Sequence, residues 1–423
     1  MTLHAALLLL LAASPQGRVV TLDEAVRAAR ANQPQLQQAR AGTEAAAARA
    51  DEALAPLLPQ LTGSAGFKRQ TDRSLSPFPS GPPFNTWSFG GTLSQLVWDF
   101  GQTSGRWQSA RESAGAQRDS ERSTAIQVLL GVRTAFFTAR ATKDLVGVAS
   151  ETLANQEAHL RQIQGFVEVG TRPEIDLAQA RTDRANAQVQ LINAENGYET
   201  AKAQLNQAMG VEAPTDYDVA DDALAPVEGE DQPLETLLAE ALRSRPDVSS
   251  LEGQARAQQA TIGSVRGGYL PSLGVSAGVA DTGPALDNTV LNWNATATLT
   301  WFLFQGGLTR AQEREAQANL TGLEAQVAAI RQQVRLDVDQ ARLAVRADKA
   351  ALSAAGEALV NARERLRLAE GRYQIGVGSV IELGDAQVAL TSAAAQRVQA
   401  DYNLSSARAQ LLRALGRVSD AQR

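Results

Sequence analysis

The chain contains no cysteine. Disulfides, thiolate metal sites and lipidation at an N-terminal cysteine are therefore excluded. Histidine is almost as scarce, with only His4 in the leading segment and His159 inside a helical stretch. A histidine-based triad or metal cluster is unavailable, and no cofactor is called for. No Walker or dinucleotide glycine motif follows a strand, so the expectation is not an enzyme. Basic residues are interspersed with acids at a net charge of -6, which argues against a nucleic-acid partner. The one apolar run, Ala5 to Ala13, lies within Met1 to Gln16 and resembles a short secretory signal. No later run approaches the ~20 apolar residues of a membrane helix. Any membrane insertion must use strands.

Aromatic residues are also few, at 5%, while alanine and glutamine recur throughout. That balance favours long, closely packed helices over a globular core. Proline is missing from Phe84 to Arg172, from Glu174 to Ala213 and from Ala285 onward, leaving windows for uninterrupted helices. From about Thr103 to Val169, Ile126, Leu129, Val132, Phe136, Leu160, Ile163 and Phe166 recur at helical spacing. Leu320, Leu323, Val327, Ile330, Val334, Leu359, Leu366 and Tyr373 do the same further on. At ~1.5 Å per residue such helices run roughly 100 Å, so coiled-coil or helical-barrel elements are expected. Glycine turns end them at about 169–174 and 375–379. Thr171 and Glu174, and likewise Ser379 and Glu382, stand at capping-box spacing, with Pro173 placed in the first helical turn. Gly210 and Gly416 are expected to close the returning helices as left-handed C-caps.

What is present in abundance is duplication. Trp87, Gly101, Gly170 and Gly210 recur as Trp293, Gly307, Gly376 and Gly416, each 206 residues on. Upstream the offset is 212, matching Leu22 with Leu234, Pro34 with Pro246 and Pro59 with Pro271. The longer first-half loop must fall between Gly66 and Trp87. A repeat this long signals duplication of a whole architecture. The halves divide as helices over 17–60, a β-hairpin over 61–102 and a helical hairpin over 103–210. After a linker over 211–233 the series repeats as 234–270, 271–304 and 305–416, with a tail over 417–423.

In the hairpins, apolar and polar residues alternate. Leu61, Ala65 and Phe67 alternate with Thr62, Ser64 and Lys68, and Trp293, Ala295, Ala297 and Leu299 with Asn294, Thr296 and Thr298. Trp87, Trp98, Trp293, Trp301, Phe302 and Phe304 stand in or at the ends of the strands, as in a membrane-interface girdle. The same strands could also form a soluble sheet on a non-membrane coiled-coil scaffold. Two hairpins cannot close a barrel in one chain, so a membrane reading implies an oligomer.

The duplicated Pro34–Pro59 and Pro246–Pro271 segments, the paired strands, Trp301-Phe-Leu-Phe-Gln-Gly-Gly307 and the two tips resemble the TolC-like outer-membrane efflux protein family over nearly the whole chain. The resemblance implies a mainly α protein with transmembrane β. A homotrimer forms a twelve-stranded β-barrel in outer-membrane lipid, four strands per chain, continued by a long α-helical barrel in the periplasm. It implies an equatorial region to which 211–232 and the tail contribute. It also implies an exit channel for a tripartite efflux or type I secretion system, with a periplasmic adaptor protein and an inner-membrane pump as partners. Val169, Gly170, Thr171, Gly376 and Val377 would dock the adaptor. Glu382 and Asp385, with Asp176 at the first-half position, would form an acidic ring at the tunnel entrance. Tyr373 and Asp176 would supply closing links, while Gly378 stands where related channels can carry an arginine. Arg172 occupies the equivalent first-half position.

Overall fold

The computed structural model describes residues 18–70 and 83–417. The signal-like segment and most of the tail lie outside them, as does 71–82 of the longer first-half loop. The chain divides into two compact units. One holds the described residues through Ala39 together with Arg122–Arg245 and those from Arg331 onward; the other is Arg40–Glu121 with Pro246–Ile330.

The second unit carries a four-stranded antiparallel sheet of β2 (Gln60–Gln70), β3 (Phe84–Trp98), β5 (Ser272–Ala285) and β6 (Asn288–Thr300), in that spatial order. The strands are 11 to 15 residues long, longer than the ~10 that span a bilayer at a tilt. The two hairpins join through β3 and β5, and the register makes the alternation coherent across all four strands. Leu61, Leu93, Ala277 and Ala295 form one cross-sheet row. The next row on the opposite face is Thr62, Thr92, Gly278 and Asn294. One face is thus apolar and the other is rich in hydroxyls, amides and glycine. A bulge after Leu96 pairs Trp98 with Leu273. By parity Trp98 would join the polar face, but the extra residue turns it to the apolar one.

In the same unit α6 (Pro246–Gly267) packs on the start of α3 (Gln102–Glu168) through small residues. A methyl group added at Gly105 would come within 2.9 Å of Ser264 Cα, so the backbones meet almost directly. Hydroxyls satisfy the backbone there: Ser264 donates to the Gln102 carbonyl at 2.6 Å and Ser250 to that of Ala116 at 2.8 Å. At the start of α3, Asp99 accepts from the Thr103 and Gly101 backbone N–H groups and serves as its cap. Phe100 takes φ 53° and Gly101 φ 88°; Gly306 and Gly307 repeat this turn before α7 (Leu308–Gln374) at 61° and 83°.

The first unit is built on α1 (Leu22–Asn32), α4 (Glu174–Met209), α5 (Leu234–Ser244), α8 (Val380–Ala414) and parts of α2 (Pro34–Leu54), α3 and α7. Its largest core joins Val132, Phe136, Phe137, Leu205 and Val219, with the two phenylalanine rings edge to face at 5.9 Å. Two short strands that the sequence did not announce, β1 (Arg18–Val20) and β4 (Tyr217–Val219), pair in parallel. The 211–232 segment is clamped by equivalent cations from both halves. Lys143 bonds Asp218 at 2.6 Å and Lys202 the Thr215 carbonyl at 2.9 Å. Their counterparts Lys349 and Arg408 hold Glu230 at 2.7 and 3.1 Å. Burial pushes the Glu230 carboxyl up, but the bonds from Arg408, Lys349 and the Val227 N–H outweigh it and hold it below the usual range.

The returning helices end at left-handed glycines, Gly210 (φ 69°) and Gly416 (φ 70°). Each also presses on the end of a short helix. A methyl group at Gly210 would come within 2.7 Å of Gln33 Cα, and one at Gly416 within 3.0 Å of Arg245 Cα. Gln33 in turn caps α4 by donating to the Ala208 carbonyl at 2.9 Å. Gly210→Ala and Gly416→Ala should each lower unfolding free energy by about 1–3 kcal/mol. Gly147→Ala, in the α3 interior with nothing within 4 Å, should raise it by about 0.5–1 kcal/mol. Urea-denaturation midpoints would check both signs.

Candidate functional site

The residues singled out at the two turns come together in the first unit, where both helical hairpins end. At the first turn Gly170 has φ 74° and donates to the Val167 carbonyl at 2.9 Å. Thr171 does not cap α4, contrary to the capping-box expectation. Its hydroxyl turns back to the Phe166 carbonyl at 2.9 Å, and Pro173 is the N-cap rather than a helical residue, with no side-chain cap bond. The second half carries serine at the equivalent position. Ser379 accepts from the Glu382 N–H at 3.1 Å, so the cap forms there as expected. At that turn Gly376 has φ 81°. Val169, Ile175, Ile375, Val377 and Ile381 are all exposed around the turns; Ile175 and Ile381 are apolar tip residues that sequence reasoning missed.

Beneath the turns lies a core of Ile163, Ala180, Leu366, Ala369, Tyr373, Leu383 and Ala386. Tyr373 is fully buried, yet its hydroxyl has no hydrogen-bond partner among the described residues. The expected link to Asp176 is not made within the chain. Instead the Arg172 guanidinium sits 4.7 Å from the ring centroid, and His159 meets the ring edge-on at 5.5 Å. Burial raises the Tyr373 phenol pKa despite Arg172 and lowers that of His159 despite Asp183 and Asp176. Gly378 has no room for a side chain, since a methyl group there would come within 2.9 Å of the Tyr373 backbone nitrogen. The arginine contact therefore comes from the other turn.

The acidic residues separate. Glu382 pairs with Arg372 at 3.4 Å, whereas Asp385 and Asp176 line a cleft along α4 and α8 that Glu382 does not enter. Of the aromatic residues in the sheet unit, Trp98, Trp301, Phe302 and Phe304 are exposed at strand ends. The Trp301 indole donates to the Tyr269 carbonyl at 3.2 Å, and Trp87 packs on Phe67 at 4.7 Å. Trp293 differs, standing in the body of β6 opposite Val279. No helix of the described residues is long and apolar enough to cross a membrane.

Residues 25–211 and 237–417 match the outer membrane efflux protein family. The chain belongs to that family. It is an outer-membrane protein, and several of its relatives are named as outer membrane proteins of efflux pumps. It is similar to the outer membrane protein TolC of Escherichia coli, with 25% identity over 94% of this chain and 83% of that one. It is also similar to the toluene efflux pump outer membrane protein TtgF of Pseudomonas putida, with 27% identity over 53% of this chain. That match spans 43% of TtgF, less than half its length. The crystal structure of the CmeC outer membrane channel of Campylobacter jejuni shares the fold, with a TM-score of 0.83, 20% identity, and coverage of 93% of this chain and 85% of that one.

Removing an unbonded buried hydroxyl should cost nothing. Tyr373→Phe should leave the melting temperature unchanged or higher, whereas Tyr373→Ala should lose about 3–5 kcal/mol. Melting curves with limited proteolysis at the turns would check this. A destabilised, readily cleaved Tyr373→Phe would show that the hydroxyl makes a bond outside the single chain.

Proposed function

We propose that three copies of the chain close one twelve-stranded barrel in the outer membrane and form a passive exit duct for a tripartite efflux or type I secretion system. Substrates would reach it from an inner-membrane pump through a periplasmic adaptor, and the chain itself would catalyse no reaction. The observation that carries this reading is the sheet. Among the described residues β2 pairs only with β3 and β6 only with β5, so both outer edges have open backbone groups. Open edges are not tolerated in lipid, and the apolar face formed by the register has no cover of its own. With β2 and β6 antiparallel to each other in the order observed, β6 of one copy can continue onto β2 of the next in the same alternating sense. Trp98, Trp301, Phe302 and Phe304 at one end of the strands, and Phe67 and Trp87 toward the other, suit two interfacial belts. Trp293 would face lipid between them.

The helical hairpins would line the periplasmic tunnel. Exposed apolar residues on the long helices, among them Val189, Ile192, Leu336 and Leu343, support packing against neighbouring copies. The glycine turns at Val169, Gly170 and Thr171 and at Gly376 and Val377 would dock the adaptor, their apolar character extended by Ile175, Ile375 and Ile381. Asp385, Asp176 and Glu382 from three copies would ring the tunnel entrance, and the buried Tyr373 ring beside Asp176 would help hold it shut.

Fractionation should place the protein in the outer membrane, with a trimer that dissociates on heating in detergent. A wholly soluble monomer would defeat the duct. In planar bilayers the channel should prefer cations. The double variant Glu382→Gln and Asp385→Asn should lose most of that preference, measured as the reversal potential in a salt gradient.

A further inference from the structure

Where the sheet of the second unit gives way to helices, an exposed apolar strip runs into a basic one. Leu299 pairs with Leu273 on the apolar face of the sheet, and Trp301 follows two residues on; they are 66% and 55% exposed. The Trp301 indole donates to the Tyr269 carbonyl. The Tyr269 phenol donates in turn to Glu313 on α7 at 3.1 Å, and Arg266 on α6 donates to the other oxygen of that carboxylate at 2.8 Å. This chain of bonds marks the side of α7 that continues the apolar face.

The opposite side of α7 is marked as clearly. Thr309, Gln312, Glu315 and Asn319 line a cleft with Ser272 and Thr300, a cross-strand pair on the polar face. At 3.6 residues per turn, Arg310 and Arg314 stand one turn apart on the side away from that cleft. Both are exposed, and neither has an ion pair or hydrogen bond among the described residues. Glu313 is already matched by Arg266 and Glu315 faces the cleft, so two positive charges are left uncompensated. The corresponding first-half positions hold Ser104 and Gln108 for the two arginines, Trp107 for Glu313 and Leu54 for Arg266. Duplication therefore does not account for the patch.

We propose that Arg310 and Arg314 hold the phosphate headgroup of an anionic phospholipid, in the leaflet on the helix side of the outer membrane. Its acyl chains would lie along the apolar face past Trp301 and Leu299. Guanidinium groups suit this task because their paired N–H donors match phosphate oxygens. The two arginines stand roughly 3 and 9 Å along α7 from Leu308, a range that brackets a headgroup layer of about 5–8 Å. Tyr269 and Trp301 lie between charge and apolar surface, where amphipathic rings are favoured. The order of surfaces, apolar strip, aromatic rings and then unpaired cations, is the order of parts in a lipid, and it favours lipid over a protein partner. The proposal rests on the barrel reading for the place of the sheet in lipid, and adds a headgroup site to it.

The test is the phospholipid retained by the purified full-length channel after washing in neutral detergent that contains equal dioleoyl phosphatidylglycerol and dioleoyl phosphatidylcholine. Mass spectrometry of the organic extract gives the ratio of the two. Phosphatidylglycerol should be enriched about tenfold at low salt, with about a twofold enrichment left in the Arg310→Gln and Arg314→Gln double variant. The Arg310→Lys and Arg314→Lys variant should keep most of the enrichment. Arg367→Gln, which removes an exposed arginine paired with Glu364 further along α7, should keep all of it. High salt should reduce it in the wild type, whereas inorganic phosphate at matched ionic strength should not.

Salt-independent enrichment, or full enrichment in the glutamine double variant, would overturn the proposal. Displacement by inorganic phosphate would make this a free-anion site and overturn the lipid. A glutamine double variant that no longer forms the heat-sensitive trimer would assign the arginines to contacts between copies, which also overturns it. Trimers that retain both lipids equally would sink the headgroup site alone; a chain that forms no trimer yet keeps arginine-dependent enrichment would sink the barrel alone.

Discussion

The backbone hydrogen bonds left open along β2 and β6 are the constraint on which the proposed assembly turns. A four-stranded sheet is too narrow to close on itself, and Leu61, Leu93, Trp293 and Leu299 on its apolar face are exposed. The two edge strands run in opposite directions, so in the proposed assembly the contact between copies would be heterologous, β6 to β2, and would propagate until a ring closes. Four strands per chain keep the total even for any number of copies, which preserves antiparallel pairing around the whole ring.

Duplication gives the halves the same plan, and chemistry then separates them. Where the chain passes from sheet to long helix, both halves need two successive left-handed residues. The second half uses Gly306 and Gly307, whereas the first places Phe100 there at φ 53° and supports the turn with the buried Asp99 carboxylate. At the hairpin turns Ser379 caps α8 while its counterpart Pro173 cannot offer a side-chain oxygen. Both halves grip the linker with equivalent cations, Lys143 and Lys349, Lys202 and Arg408.

Much of this was legible because it follows from periodicity and from positions where few residue types are tolerated. Strand alternation survives because the register keeps apolar residues on one face of the sheet and polar residues on the other, and proline-free windows survive as α3, α4, α7 and α8. Gly210 and Gly416 announce helix ends because a left-handed backbone excludes most side chains. What escaped reading depends on contacts remote in sequence. The bulge that turns Trp98 to the apolar face is set by pairing with β5, and the β1–β4 pair joins segments two hundred residues apart. Thr171 has the right spacing for a cap, but Pro173 moves the helix start away from it. The Tyr373 hydroxyl was given a partner by resemblance, whereas packing encloses it without one.

That enclosure bears on what holds the hairpin ends together. The exposed Arg372–Glu382 pair contributes roughly 0–1 kcal/mol, and a guanidinium over an aromatic face about 0.5–2 kcal/mol. Burying the Tyr373 ring with Ile163, Leu366 and Leu383 removes far more apolar surface from water, at about 1.5–3 kcal/mol for each large side chain. The hairpin ends are therefore held together chiefly by hydrophobic packing, with Arg172 adding to it from the turn. In the proposed trimer an opening motion that separates the hairpins would have to expose this core, while one that moves them as a packed pair would need only to break contacts with neighbouring copies. The second costs less within each chain, so the packed core favours hairpins that move together.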